Sequence, residues 1–442
     1  MMFHVEHATI IAIATGAARG GIGVIRISGS RAVSVARRVV PALPERPPAR
    51  LAALHRFILN GRLADQGLVL FFPGPRSFTG EDVVELQAHG APRLLQALVE
   101  RCLEEPGVRL AEPGEFTRRA LLSGRLDLTR AEAVLDLIEA DTEAQVLAAA
   151  DRLDGALTSA LEAIQAPLVE LVAVLDGLLD FPDEAHGVEV EVGPRLAAVE
   201  AQVLQLEVEA RRGARLRQGA RVVLFGPPNA GKSTLFNRLV GDDRALVDSE
   251  PGTTRDALEA RLEVRGAPLL LIDTAGLRAG ASRVEQLGID RTRALLASAD
   301  LGVLLAPAGS HDDLVEPWRR ELQAPRRLDV GTRADVERST WNSTLRVSGL
   351  TGAGVNELLV AIADRVLGDV ERAPPLATER HLEGLTRVRE ALERATQRLT
   401  HDTLDLVGAE VGLALAEVGR LLGLDVERTR LDALFSRFCI GK

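Results

Sequence analysis

The chain has 442 residues, of which 46% are hydrophobic and 26% charged, with a formal net charge of −10. That length points to about three domains with ample material for buried cores, and the acidic balance argues against a protein that coats nucleic acid nonspecifically while leaving room for a local basic groove. Aromatic residues make up 3%, with no tyrosine, which disfavours base-stacking surfaces, and the two cysteines, Cys102 and Cys439, build neither a disulfide framework nor a metal-ligand spacing.

Residues 1–8 read as a ragged leader without a signal-peptide pattern. No apolar run approaches the roughly 20 residues of a membrane span. A cytoplasmic protein is therefore expected. From Thr9 the pattern turns β-rich. Strands are expected at Ile10–Ala14, Gly23–Ile27, Leu68–Phe72 and Val83–Gln87, with turns at Pro73-Gly74-Pro75 and Phe78-Thr79-Gly80 and a helix over Arg93–Cys102. The first glycine cluster lacks the third glycine of a dinucleotide-binding fingerprint. Residues 1–120 thus read as an α+β domain.

Residues 121–216 turn helical. Leu157, Leu161, Ile164, Leu168, Leu171, Leu175 and Leu178 step by four and three along one face, with Pro167 expected to kink the helix. Asp180-Phe181-Pro182-Asp183-Glu184 ends it, and Leu196, Val199, Val203 and Leu206 begin the next. Residues 217–372 alternate strands and helices, as a doubly wound nucleotide-binding domain does. Over 373–442 the helical stepping resumes with Leu385, Val388, Leu392, Ala395 and Leu399. Helices on both sides imply an α/β domain inserted into one all-α domain, preceded by the α+β domain.

The most informative stretch is Gly226-Pro227-Pro228-Asn229-Ala230-Gly231-Lys232-Ser233. It follows the apolar run Val222–Phe225 and opens a helix at Thr234, the context that the GxxxxGK[ST] phosphate loop requires. Backbone N–H groups and the helix N-terminus would cradle the phosphates. Lys232 would reach the terminal phosphates and the Ser233 hydroxyl would bind Mg²⁺. Of 53 basic residues only two are lysine, Lys232 and Lys442. A compact ammonium and a forked guanidinium are not interchangeable at a crowded phosphate, so chemistry explains a lysine retained against this bias.

Further along, Asp273-Thr274-Ala275-Gly276 closes the apolar strand Leu269–Ile272, where a Mg²⁺-supporting carboxylate and a γ-phosphate-facing N–H belong. Between them, Gly252-Thr253-Thr254-Arg255-Asp256 is a candidate switch, with a threonine hydroxyl completing the Mg²⁺ shell. Thr332-Arg333-Ala334-Asp335 stands where a guanine-reading Asn-Lys-x-Asp is expected. Asp335 would accept from guanine N1 and N2, while Thr332 loses an amide contact. Ser348-Gly349-Leu350 would offer a backbone N–H to guanine O6. Leu277 occupies the place of a water-orienting glutamine. Asn229 is suited to support a monovalent cation beside the phosphates, and Glu285 is the acid assigned to orient water. In order, these are the parts of a GTPase of the translation-factor-related group.

With these residues in hand, the chain resembles the MnmE (TrmE) family of bacterial tRNA-modification GTPases nearly end to end. The resemblance rests on Arg19–Gly29, Phe78–Gln87, Pro113-Gly114-Glu115-Phe116, Leu126-Asp127-Leu128, Asp180–Glu184, the GTPase motifs and Phe438-Cys439-Ile440-Gly441-Lys442. It implies a tetrahydrofolate-binding, homodimerising N-terminal domain, with Arg26, Glu85, Arg125 and Lys442 at 5-formyl- or 5,10-methylene-tetrahydrofolate. It implies GTP contacts from Asp248, Ser249, Glu250, Pro251, Gly252, Thr253 and Thr254, and K⁺ at Asn229, Asp248, Glu250 and Thr253. Glu285 falls on the family's catalytic glutamate. The family acts on the wobble uridine of tRNA with an FAD-containing partner, MnmG, in a heterotetrameric or larger complex, and FAD belongs to that partner. Cys439 is open between a catalytic thiol and a small packing residue. The competing reading is a GTPase switch in ribosome or RNA assembly without modification chemistry. A metabolic P-loop kinase would leave Thr254, Asp273–Gly276 and Asp335 unexplained.

Overall fold

A computed structural model of the chain describes residues 8–180, 188–241, 258–264, 266–274, 292–307, 310–323, 326–336, 345–367, 377–399, 404–424, 435, 438 and 441. They fall into two compact units, residues 1–135 with 418–442, and residues 136–417.

The first unit is built on a six-stranded sheet in the order β3-β4-β5-β2-β1-β6. Its strands are β1 (Thr9–Ile13), β2 (Gly20–Ser28), β3 (Ala53–Leu59), β4 (Arg62–Phe72), β5 (Val83–Gly90) and β6 (Val108–Leu110). All neighbours are antiparallel except β1 and β6. Alternation decides which residue faces where. In β2, Ile25 and Ile27 enter a core with α1 (Ala32–Arg37) and α2 (Pro92–Leu103), while Arg26 stands between them on the other face. Cys102 is fully buried in that core, and burial pushes its thiol up to about 12, so it is not a thiolate at neutral pH.

On the opposite side, Phe116 of α3 (Glu115–Leu122) packs with Ile10 and Ala12 of β1. Burial alone would raise the Glu115 carboxyl, but Arg109, the Glu112 N–H and Arg119 all donate to it and hold it at about 2. Phe435 and Phe438 pack beside Leu128, Ala131 and Leu135, the near end of α4 (Leu128–Ile138). Strands β3 and β6 and helices α1 and α3 were not among the expected elements.

In the second unit, α5 (Glu143–Asp154), α6 (Ala156–Asp180), α7 (Val188–Gln218) and α11 (Glu379–Leu399) form a helical layer, in which α7 and α11 pack along each other. A capping box starts α5, with Gln145 and Thr142 reciprocally bonded. The helix α6 runs through Pro167 as one element. By length and composition alone it is apolar enough to cross a membrane, although Glu162, Glu170 and Asp176 interrupt its apolar run. Its stripe Leu157, Leu161, Ile164, Leu168, Leu171 and Leu175 is buried within the bundle, which explains the apolar composition.

A buried polar cluster sits at the end of α7. Asp136 Oδ2 accepts from Arg152 Nη1 at 2.6 Å and its Oδ1 from Arg217 Nε at 2.5 Å, with both the Asp136 and Arg152 side chains enclosed. Gln145 Nε2 donates to the carbonyls of Leu216 and Arg217. His381 is buried nearby. Burial, and then the charges of Arg380, Arg152 and Arg217, hold its imidazole well below the usual value, so it is neutral.

From α7 the chain enters β7 (Ala220–Phe225) directly. The remaining strands are β8 (Leu258–Val264), β9 (Ala267–Asp273), β10 (Leu301–Pro307), β11 (Arg327–Thr332) and β12 (Leu345–Arg346). The order is β12-β11-β10-β7-β9-β8, parallel except for the β8–β9 hairpin. Buried on both faces, the central strands read as near-continuous apolar runs. One face is covered by α8 (Lys232–Gly241) and α10 (Val355–Leu367). The other carries Leu296, Ala299 and Val315, the last from α9 (Asp312–Arg319). This is a P-loop α/β domain inserted into a helical domain and preceded by an α+β domain.

Candidate functional site

The nucleotide site lies at the carboxyl ends of β7, β9, β10 and β11. Gly226 has φ 136°, and a Cβ there would lie 2.2 Å from the Leu305 carbonyl oxygen of the neighbouring strand. Only glycine fits, and this contact steers the loop off the sheet edge. Asn229 at φ 61° and Gly231 at φ 82° turn the loop back into α8. Lys232 is buried, and its Nζ donates to the carbonyls of Gly226 and Pro227 at 2.9 Å each. The ammonium is thus held at the mouth of the loop, where a phosphate oxygen can replace these neutral acceptors with stronger charge-assisted bonds.

Register explains the metal side. Asp273 pairs with Leu224 of β7, and Thr274 Oγ1 donates to the Leu224 carbonyl at 2.8 Å. A fully buried carboxylate therefore stands beside the strand that delivers Ser233. Carboxylate and hydroxyl oxygens are a donor set for a hard divalent cation such as Mg²⁺. Among the described residues no group of three or more His, Cys, Asp or Glu could hold a metal by itself.

The base side shows connections that the sequence did not reveal. Thr332 Oγ1 donates to the carbonyl of Ala230 at 2.7 Å, with the Ala306 carbonyl 3.2 Å away, tying the end of β11 to the phosphate loop. Arg333, at φ 58°, donates from Nη2 to the Asn229 carbonyl at 3.0 Å. The two substituted positions therefore brace the phosphate loop. Asp335 is exposed, and a hydrogen bond from the buried Ser348 holds its carboxyl below the usual range. It is ionised and ready to accept. Gly349 lies so close to α8 that a Cβ would sit 3.1 Å from the Leu235 nitrogen, and Leu350 is exposed beside it.

A second candidate site lies in the first unit. Arg26 and Glu85 face each other across β2 and β5, paired at 2.9 Å. Arg26 Cζ lies 5.8 Å from the Phe78 ring centroid and 5.7 Å from that of Phe116. With Arg125, whose Nε donates to the Ser77 carbonyl at 3.1 Å, they line a cavity of about 430 Å³. Arg26 Nη1 also donates to the Gly441 carbonyl at 3.3 Å.

Of the expected site residues, the structure brings together Asn229, Ala230, Gly231, Lys232, Ser233, Thr234, Asp273, Thr274, Thr332, Arg333, Asp335, Ser348, Gly349 and Leu350 around one loop. It brings Arg26, Glu85 and Arg125 around one cavity. Asp248, Ser249, Glu250, Pro251, Gly252, Thr253, Thr254, Ala275, Gly276, Glu285, Cys439 and Lys442 lie outside the described residues. Sequence reading missed Arg50, Phe72 and Arg76 on the cavity wall, although the flanking Pro73-Gly74-Pro75 turn was visible.

Comparison with known proteins agrees with this layout. Residues 9–125 match the N-terminus of the GTP-binding protein TrmE, and residues 128–439 match the MnmE helical domain. The tRNA modification GTPase MnmE of Myxococcus xanthus is 53% identical over 436 residues, covering 98% of this chain and 99% of that protein. Those of Nitrosomonas europaea and Parvibaculum lavamentivorans are 41% and 40% identical, each over 98% of this chain and at least 99% of the relative.

Proposed function

The chain belongs to the MnmE family of tRNA modification GTPases, and from that premise we propose that it is a K⁺-activated GTP hydrolase whose cycle drives modification of the wobble uridine. With an FAD-bearing MnmG partner it adds an aminomethyl or carboxymethylaminomethyl group at C5 of that base, using a tetrahydrofolate one-carbon unit. It works in the cytoplasm as a homodimer. Its domains divide at about residues 120, 216 and 372.

In the nucleotide site, Lys232 and the backbone of 229–234 hold the phosphates, and Ser233 with Thr254 holds Mg²⁺, supported by Asp273. Bound Mg²⁺ neutralises charge on the phosphate oxygens. Asp335 and the 348–350 loop select guanine. Asn229, Asp248, Glu250 and Thr253 hold K⁺, and Glu285 orients water. The exposed loop tip at Asn229, braced by Arg333 and Thr332, supports this reading, because an added cation needs a fixed ligand beside the phosphates.

One observation favours modification chemistry over a plain RNA-assembly switch. The Gly441 carbonyl accepts from Arg26, so the backbone at Gly441 meets the Arg26–Glu85 pair. A switch has no use for such a cavity. Its half-buried carboxylate accepts N–H donors and its guanidinium groups donate to carboxylates, so the lining fits a reduced folate.

Mass spectrometry of tRNA nucleosides from cells with and without the gene tests the proposal. C5-aminomethyl-type wobble uridines should vanish on deletion, and their persistence would favour the assembly switch. GTP turnover should be faster in KCl than in NaCl at matched ionic strength. Equal rates would remove the cation from the mechanism.

A further inference from the structure

The N-terminal cavity carries an unbalanced charge. Among its described lining residues are four guanidinium groups, Arg26, Arg50, Arg76 and Arg125, against one carboxylate, Glu85. Arg26 is committed to Glu85. Arg125 donates to the Ser77 carbonyl, and Arg50 to the carbonyl of Arg76. Among the described residues, no carboxylate lies within ion-pairing distance of Arg50, Arg76 or Arg125. Three cations converging on one cavity repel one another unless an anion sits between them.

These groups are also ordered in depth. The Arg26 and Glu85 side chains are only 22% and 17% exposed, whereas Arg50 and Arg76 lie at the exposed rim, with Phe72 and Phe78 lining the same wall. The rim is built rather than loose. The Arg50 N–H donates to the Phe71 carbonyl at 2.8 Å, Ala49 bridges to Phe71, and the turn carrying Arg76 is tied by Gly74 N–H to Asp82. An inner acceptor of N–H groups, an aromatic wall and an outer pair of guanidinium groups fit a flat, N–H-rich ring with an acidic tail.

We propose that Arg50 and Arg76 bind the carboxylates of a glutamyl tail, so that the cavity favours folates with more glutamyl residues. This rests on the folate reading of the same cavity. Guanidinium is suited to the role because its planar fork meets a carboxylate in bidentate fashion. Guanidinium groups gathered around one concave pocket of about 430 Å³ favour a small dicarboxylate over an RNA backbone, which would track an open basic stripe.

Calorimetric titration of the full chain tests this with 5-formyl-tetrahydrofolate carrying three glutamates, the same compound carrying one, and the glutamate-free pteroate analogue. Affinity should rise along the series toward three glutamates. In the Arg50→Gln/Arg76→Gln variant that gradient should shrink by about fivefold, the scale of exposed ion pairs, while pteroate affinity stays the same. Arg76→Lys should restore part of the gradient lost in Arg76→Gln. A flat series in the unaltered protein would overturn the proposal, as would equal weakening of all three ligands in the variant. An unchanged gradient with weaker tRNA retention would assign the rim to RNA instead. If none of the three binds, the folate reading itself falls, an outcome distinct from binding without a gradient.

Discussion

Replacing Asp136 with leucine should open the corner from which the helical layer feeds the nucleotide-binding sheet. The carboxylate holds Arg152, which is fully enclosed, and Arg217, whose side chain is 29% exposed. On its loss Arg217 can turn to water, but Arg152 cannot. The cost is therefore set by the buried ion pair that the enclosed Arg152 loses, about 3–5 kcal/mol. Hydrogen exchange of the α5 amides is the suitable assay, because a chain of several domains does not unfold in two states. If these amides exchange by opening the corner, the rate should rise about 10²–10⁴-fold. The double variant Asp136→Leu/Arg152→Leu should recover most of the loss, since two apolar side chains need no partner. A single-variant change below about tenfold, or a double variant worse than the single, would refute the reasoning.

Other outcomes follow from the same contacts. Gly226→Ala places a Cβ 2.2 Å from the Leu305 carbonyl at φ 136°, so fluorescent-GDP titration should show at least about tenfold weaker binding; unchanged affinity would mean that β7 and β10 part freely. His381 is neutral when folded and takes up a proton on unfolding below about pH 6.5. The stability tied to its neutral form is thus present above that pH and is lost as pH falls toward the lowered folded value, by up to about 1.4 kcal/mol per pH unit. His381→Gln should flatten that dependence in melts between pH 7 and 5, and an identical slope would remove the residue from it. Glu285→Ala should keep GTP affinity and lose hydrolysis, whereas parallel loss of binding would make the residue structural.

The phosphate loop was legible because its chemistry is local. Strand, glycines, lysine and serine are consecutive, and each residue type has one physical reason to be there. The helical layer was legible from the four-and-three spacing of residues such as Leu157 to Leu175. Strand β3 was not, because an edge strand is covered on one side only and its burial does not alternate cleanly. The Asp136–Arg152–Arg217 cluster joins residues 16 and 81 positions apart, a distance that no periodicity encodes. Thr332 looked like a loss at the base-reading motif, yet it and Arg333 both act on the phosphate loop. The motif carries their order but not the direction of their side chains.

The Arg26–Gly441 bond also has a history in time. Its two residues are 415 positions apart. At a synthesis rate of about 5–20 residues per second, Gly441 is added roughly 20–80 s after Arg26. The residues around Arg26 are made long before that, but this bond can form only when translation has passed the GTPase domain and the closing helices. A chain broken off anywhere upstream would lack it. The bond therefore reports that everything between its two residues has been made.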